Sequence, residues 1–495
     1  MKKLSLILGI KALLALLFIS TGLLGLGPDE AQYWTWSKAL DVGYYSKPPG
    51  IAWQIWVGTL VFGDTELGVR LMAVVINFLI PIAVYYLARN SRLKESTAFW
   101  AAIAFAFSPL GILGSILATT DGGLVLFWTI GCAVIAKALS RGQPPNYYLL
   151  GLVIACGALF KWPIYILWAF VLLAMIPYRS MRSIKFLFGV GISLLGLLPS
   201  IEWNMQHDWA TFQHVFSTMK GGHAHTISSG NFWDFVGAQV ALLSPVLFVL
   251  LLLAIVSMFR RIPYMWSPVL FCGIVTTLLL SVYSALAVKQ KMQGNWVVFA
   301  YPTGCVILSW YALEHARRGK KWLVGGVALS IVLSIIALWL PFSGWLPYKL
   351  NPFKHNLAWD KMDAALDNAG YNPDSEFLFS DKYQMSSLLS FYAPEQKRAY
   401  FLNLQGTRKN QFSYWPSLAD ERLGKNGYYA AVENIPHLGQ LDPDQHLERL
   451  APYFSKVELV GIVPLIEQKG EPVKALLLVK CLGYNGQEPD DRGLY

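Results

Sequence analysis

The feature that most constrains this fold is a succession of long apolar segments that fills the first 341 residues. A helix needs about 20 apolar residues to cross about 30 Å of hydrocarbon. The sequence predicts about eleven such helices, and only 14% of the 495 residues are charged, against about 25% in soluble proteins. The chain is therefore expected to be a polytopic α-helical membrane protein. The predicted spans are 5–26, 67–88, 97–117, 122–139, 147–160, 163–177, 186–201, 235–258, 265–287, 296–314 and 322–341.

Basic residues between the spans predict the orientation, because cytoplasmic loops carry an excess of lysine and arginine. Alternate gaps hold clusters such as Arg89, Arg92 and Lys94, or Arg317, Arg318, Lys320 and Lys321, whereas the intervening gaps hold few cations. We expect the clusters and the N-terminus to be cytoplasmic. The formal net charge of +10 is explained by these clusters, so nucleic acid is not an expected partner.

Two regions outside the spans have a distinct composition. Residues 27–66 form the first extracytoplasmic loop of a membrane domain assigned to 1–341, and residues 342–495 form a soluble extracytoplasmic domain. Short β-type runs alternate with helical patterns in this tail, which predicts an α/β fold. The expected strands are 376–379, 399–402, 428–432, 457–465 and 475–479, and the expected helices are 358–369, 386–392 and 444–453.

Asp29 and Glu30 follow the first apolar helix directly, in the stretch "PDEAQYWTWS". Carboxylates at a membrane boundary are costly unless they are solvated, paired or functional. Either acid could take a proton from an acceptor hydroxyl or hold a divalent cation, so both are candidate catalytic residues. The alternative is a solvated helix end.

Lys47 lies in "GYYSKPP", where the following Pro48 holds its backbone extended. A lysine fixed beside Tyr44 and Tyr45 near a membrane suits a lipid phosphate. The alternative for Lys47 is a snorkelling surface lysine.

Asp121, in "LATTDGG", falls on the same predicted side of the membrane as Asp29. Aspartate is also favoured as a helix N-cap, so its role stays open between capping and catalysis. A low-specificity hypothesis places a divalent metal, the one cofactor considered, between Asp29 and Asp121.

The remaining candidates come from three other loops on this side. Cations there suit a negatively charged leaving group, and polar side chains suit a sugar. The candidate substrate-binding residues are Lys161, Glu202, Asn204, His207, Lys289 and Trp296.

In this order, the segments "PDEAQYWTWS…GYYSKPPGIAW", "SPLGILGSILATTDGGL", "WNMQHDW" and "VKQKMQGNW" resemble membrane glycosyltransferases of the dolichyl-phosphate-mannose–protein mannosyltransferase type, with a GT-C fold. Their bacterial relatives include the aminoarabinose transferase that modifies lipid A. The resemblance covers about 28–302. It implies sugar transfer, hexosyl or pentosyl, with inversion from a polyprenyl-phosphate donor. It further implies that Asp29 is the base or a metal-associated acid, that Lys47 contacts the donor phosphate, and that Asp121 is the second-loop acid.

These expectations imply a multi-pass protein of a bacterial inner membrane with a periplasmic active site. The expected acceptor is lipid A, another envelope glycan or glycolipid, or a protein, and membrane lipids are expected partners. The alternative function is a transporter or flippase for lipids or lipid-linked sugars. Transporters place ionisable residues near the membrane midplane between repeated halves. Here the ionisable residues cluster at one surface and the halves differ, which favours the enzyme.

Overall fold

The computed structural model describes residues 1–219, 230–261, 267–434 and 437–489. Helices occupy the chain as far as residue 342, and a five-stranded sheet with flanking helices follows. The helices of the first part are α1 (Lys2–Ser20), α2 (Pro28–Lys38), α3 (Gly50–Phe62), α4 (Glu66–Asn90), α5 (Glu95–Ala106), α6 (Pro109–Leu113), α7 (Thr120–Arg141), α8 (Tyr147–Ala158), α9 (Ile166–Met175), α10 (Lys185–Leu194), α11 (Leu198–Gln206), α12 (Ala210–Met219), α13 (Phe232–Leu243), α14 (Pro245–Arg261), α15 (Pro268–Lys289), α16 (Tyr301–Trp310) and α17 (Gly319–Trp339).

The prediction of a polytopic helical membrane protein is confirmed, but the count of eleven spans is not. Among the described residues, seven helices are long and apolar enough to cross a membrane, and α13 with α14 makes up to eight. These two helices meet at an angle of 103°, at a break before Pro245, whose ring cannot continue a regular helix. The predicted spans at 97–117, 147–160 and 163–177 are shorter helices, because Pro109 and Pro163 interrupt their apolar runs.

Two short helices, α2 and α3, lie between the first two long helices. α2 begins at Pro28, whose fixed φ and missing N–H suit the first helical position, with Asp29 and Glu30 in the first turn. Carboxylates there are favoured by the positive end of the helix dipole. Glu30 Oε2 also accepts a hydrogen bond from the Gly27 N–H at 3.0 Å, which satisfies one of the free helix donors.

The tail folds as predicted into an α/β domain. Its sheet has the strand order β2-β1-β3-β5-β4; β1 runs parallel to β2 and β3, whereas β3, β5 and β4 are antiparallel neighbours. All five predicted strands and all three predicted helices are present. The elements are α18 (Lys361–Asn368), β1 (Glu376–Ser380), α19 (Tyr383–Tyr392), β2 (Tyr400–Phe401), α20 (Leu418–Glu421), β3 (Asn426–Asn434), α21 (Pro443–Leu450), β4 (Phe454–Gln468) and β5 (Glu471–Tyr484).

The tail packs directly on the first loop, and the two share one hydrophobic core. Trp34 of α2 meets Phe391 of α19 edge to face, with ring centroids 4.9 Å apart, and Leu389 is buried in the same cluster. The Tyr392 hydroxyl accepts a hydrogen bond from the Leu26 N–H at 2.6 Å and donates to Glu66 at 3.0 Å. The aromatic residues of α2 therefore hold the tail domain against the first loop of the helical part.

Candidate functional site

A cavity of about 600 Å³ lies between the helical part and the tail. Its walls come from the start of α2, the turn before α3, the connection from α6 to α7, the 3₁₀ turn at 294–300, and the tail. The predicted site residues that line it are Asp29, Glu30, Lys47, Asp121, Lys161 and Trp296.

Asp29 is the acid that faces the open space of this cavity. Its side chain is exposed to the cavity, while the surrounding walls partly desolvate it. Burial raises the pKa of the Asp29 carboxyl, Lys47 opposes that shift, and Glu30 adds to it. A carboxylate with a raised pKa is a stronger base, so Asp29 is suited to accept a proton from a hydroxyl placed in the cavity.

Glu30 turns the other way, into a closed ion pair with Arg70 of α4. Arg70 donates from Nη2 to Oε2 at 2.7 Å and from Nε to Oε1 at 2.9 Å, and its side chain is 0% exposed. Glu30 Oε1 also accepts from the Ala118 N–H at 2.8 Å. These contacts join α2, α4 and the connection before α7, and they favour a positioning role for Glu30 over direct catalysis.

Lys47 is held in a tight turn, where the Tyr44 and Lys47 backbones exchange hydrogen bonds of 3.2 and 3.4 Å. Its side chain lines the cavity. Burial, followed by the nearby charge of Lys161, lowers the pKa of Lys47 to about 8, against the attraction of Asp121 and Asp29. A poorly solvated ammonium of this kind gains stabilisation when an anion binds beside it.

Asp121 sits in the first turn of α7 and forms an ion pair with Lys161. Lys161 Nζ donates to Oδ1 at 2.6 Å, and Asn295 Nδ2 donates to Oδ2 at 2.7 Å. Both carboxylate oxygens are thus hydrogen-bonded. The arrangement fixes Lys161 at the cavity wall beside Lys47, and it makes Asp121 an anchor for two side chains that line the cavity.

A second cavity of about 370 Å³ adjoins the first. The two share Lys47, Lys161 and Trp296, and the second is walled by apolar side chains that include Trp162 and Val215. The two lysines therefore stand where a polar chamber meets an apolar one.

Two predicted binding residues in the first loop do not line the large cavity. Tyr44 is buried, stacks on Trp36 with centroids 4.6 Å apart, and donates from its hydroxyl to the Trp36 carbonyl at 3.0 Å. Tyr45 packs between His214 and Tyr414, and its N–H donates to Gln411 at 2.7 Å. Both tyrosines shape the turn that presents Lys47.

Four other predicted binding residues also lie away from it. Asn204 is buried and accepts from the Thr211 N–H at 2.9 Å, and His207 stacks on Trp203 with centroids 4.0 Å apart. Glu202 and Lys289 are exposed elsewhere on the surface. Asn204 and His207 therefore organise the α11–α12 turn, since their partners are local.

Sequence reasoning missed the contribution of the tail. The tail residues that line the cavity include Lys474 of β5, Lys382, His355, Asn356 and Trp359. The sequence offered one signal: Lys474 interrupts an otherwise apolar strand, "VKALLLV".

The proposed metal at Asp29 and Asp121 stays a prediction. Within the described ranges no group of three or more His, Cys, Asp or Glu side chains could hold an ion. The oxygens of Asp121 already accept from Lys161 and Asn295, and Lys47 lies nearby. These donors do not suit a divalent cation, so we derive no step through a metal.

The chain is similar to several known proteins. Residues 46–203 match the sequence model of the family described as dolichyl-phosphate-mannose-protein mannosyltransferase. A lipid A galacturonosyltransferase, RgtD, of Rhizobium johnstonii is 27% identical over 327 residues, which are 65% of this chain and 67% of the relative. An undecaprenyl phosphate-alpha-4-amino-4-deoxy-L-arabinose arabinosyl transferase of Proteus mirabilis is 28% identical over 214 residues, and the match spans only 39% of the length of each protein.

The fold has a solved counterpart. The crystal structure of ArnT from Cupriavidus metallidurans bound to undecaprenyl phosphate superposes with a TM-score of 0.66 and 14% identity, covering 96% of this chain and 97% of that one. The same fold is seen in the apo structure, with a TM-score of 0.65.

Fold and cavity together define a multi-pass membrane protein with an α/β tail that closes a charged chamber. The chain has the fold of the ArnT structures, and its residues 46–203 are similar to the dolichyl-phosphate-mannose-protein mannosyltransferase family.

Proposed function

We propose that this protein transfers a sugar from a polyprenyl-phosphate donor to a hydroxyl of an envelope acceptor, with lipid A as the first candidate. The observation that carries this proposal is the presence of Asp29, Lys47 and the Asp121–Lys161 pair in one cavity. An acid able to act as base and two cations able to receive a phosphate are the parts that direct displacement requires.

The donor lies across the two chambers in this proposal. Its phosphate binds Lys47 and Lys161, where charge-assisted hydrogen bonds to an anion are strongest because water is partly excluded. Its isoprenoid chain runs along the apolar cavity past Trp162 and Val215. Its sugar then projects into the large cavity, towards Asp29.

The reaction is a single displacement at the anomeric carbon. Asp29 accepts the proton of the acceptor hydroxyl, and the hydroxyl oxygen forms a bond to the anomeric carbon from the face opposite the phosphate. The bond between that carbon and the phosphate oxygen breaks, and its electron pair leaves with the polyprenyl phosphate. Lys47 and Lys161 stabilise the charge that develops there, and the anomeric configuration inverts.

The proposal also concerns the identity of the sugar and the side of the membrane on which transfer takes place. The names of the relatives support two kinds of sugar. One is a uronic acid, which is transferred as a hexosyl group, and the other is an amino-deoxy pentose. The positive-inside pattern supports a periplasmic chamber in a bacterial inner membrane.

The test is mass spectrometry of lipid A, other envelope glycans and exported proteins from isogenic strains with and without the gene. We expect one glycan or lipid to lose a single sugar mass in the deletion and to regain it with the wild-type gene. The Asp29→Asn gene is not expected to restore this sugar. The gene of a matched control variant, Asp374→Asn on the tail surface, is expected to restore it. Identical envelope spectra in all strains would contradict the proposal.

A further inference from the structure

One cation of the cavity wall, Lys474 of the tail, is not used by the proposed displacement. The side chain of Lys474 lines the cavity and is nevertheless only 1% exposed. Its Nζ donates to the Leu357 carbonyl at 2.7 Å and lies 3.4 Å from the centroid of the Trp359 ring. An ammonium has three donors, so this contact leaves capacity for a ligand.

Lys474 also lacks the counter-ion that its neighbour has. Lys382, in the same wall, pairs with Glu433 at 3.3 Å, whereas within the described ranges no carboxylate lies within ion-pair distance of Lys474. Burial lowers the pKa of Lys474 to about 7, against the attraction of Asp360. Buried charges are normally paired, so an ammonium held only by a carbonyl and a ring is incomplete without an anion.

This cation is separate from the donor end. Lys47 and Lys161 line both the large cavity and the adjoining apolar one, whereas Lys474 lines only the large cavity. His355 lies on the same side as Lys474: its carbonyl accepts from Trp359 Nε1 at 2.8 Å, and the ring of Trp359 lies against the Lys474 ammonium. The cavity wall thus carries Lys47 and Lys161 from the helical part and a separate ammonium, that of Lys474, from the tail.

We propose that Lys474, with His355 and Trp359, forms a subsite for an anionic substituent, a carboxylate or phosphate, of the sugar or the acceptor. This inference rests on the proposed transfer function. The anion pairs with the Lys474 ammonium and a hydrogen-bond donor of His355, and Trp359 packs against the sugar face. Lys474 would repel a cationic amino group at this place, which gives the site discrimination as well as affinity.

Binding tests the subsite without turnover. The full chain in phosphatidylcholine nanodiscs, carrying Lys47→Met to weaken the donor-phosphate site, is titrated with galacturonate, inorganic phosphate and galactose. We expect galacturonate or phosphate to bind at least about tenfold more tightly than galactose, as expected for hydrogen bonds to a charged group. Adding Lys474→Met should abolish the difference, and adding Lys474→Arg should preserve it.

Lys480→Met is the matched control, because Lys480 is on the same strand, also lies over an aromatic ring, and pairs with Glu376 away from the cavity. It should leave anion binding unchanged. Equal affinity for galactose and both anions, or equal loss in the Lys474→Met and Lys480→Met proteins, would overturn the inference.

Turnover identifies which substrate carries the anion. Wild type and Lys474→Met are assayed with undecaprenyl-phosphate-linked galacturonic acid or galactose as donor, and with lipid A or dephosphorylated lipid A as acceptor. We expect the KM of one anionic substrate to rise about tenfold or more while kcat changes little and the matched neutral substrate is unaffected. An equal loss for charged and neutral substrates would refute the subsite. If the wild type turns over no pairing of donor and acceptor, the proposed function is refuted but the subsite is not. The binding experiment then decides whether the subsite exists.

Discussion

Arg70 donates two hydrogen bonds to Glu30, and both side chains are buried where α4 meets the first turn of α2. Arg70 also donates to the carbonyls of Leu24 at 2.6 Å and Gly25 at 2.8 Å. One guanidinium therefore sets the direction in which the chain leaves the first helix, and with it the position of Asp29 next to Glu30.

Replacing Arg70 by Met is expected to destabilise the protein by about 3–5 kcal/mol, because the Glu30 carboxylate remains buried without a partner. Thermal unfolding in detergent measures the loss. The double variant Glu30→Gln with Arg70→Met removes the stranded charge and should recover part of the stability. A single variant as stable as the wild type would show that the pair contributes little.

Asp29→Asn is expected to lower kcat by about 10²–10⁴-fold, the usual contribution of a general base. The side chain keeps its size, so expression, thermal stability and donor binding should stay close to those of the wild type. Radiolabelled sugar transfer in proteoliposomes is the measurement. Full activity in the variant would exclude Asp29 as the base.

The pH dependence of kcat/KM should be bell-shaped. Asp29 must be deprotonated, and burial raises its pKa, so activity should rise with pH through a midpoint above that of an ordinary aspartate. Lys47 must be protonated to hold the donor phosphate, so activity should fall as pH rises through about 8. Lys47→Arg should move the alkaline limb upwards, since arginine stays charged; an unmoved limb would assign it to another group.

Lys47→Ala is expected to weaken binding of polyprenyl phosphate about tenfold or more, because a charge-assisted contact to the phosphate is lost. Lys289→Ala is the matched control: this lysine belongs to the same predicted set but does not line either cavity. Equilibrium binding of undecaprenyl phosphate in detergent compares them. Similar affinities for both variants would remove Lys47 from the donor site.

The sequence predicted the membrane class, the tail fold and the cavity acids from local signals. Apolar length identifies spans, and a short continuous apolar run identifies a buried strand such as β5, because each signal lies within a few neighbouring residues. The helix count was less accurate, since Pro109, Pro163 and Pro245 break apolar runs that hydropathy alone reads as continuous.

Side-chain direction could not be read from the same signals. Asp29 and Glu30 are adjacent in sequence, yet Asp29 faces the cavity while Glu30 binds Arg70, forty residues away. In the same way, the sequence did not show that Asn204 bonds to Thr211 and that His207 stacks on Trp203, both within their own turn. Lys474 could not be placed at the site, because its position in the cavity wall depends on how the tail packs on α2.

The shared core of Trp34 and Phe391 has a consequence for biosynthesis. The helix that carries Asp29 emerges early from the ribosome, whereas the strand that carries Lys474 emerges more than four hundred residues later. The chamber is complete only after both segments have reached the same side of the membrane and α19 has docked. A chain that stalls before the tail has docked therefore presents the acid without the opposite wall, and the chamber forms only at the end of assembly.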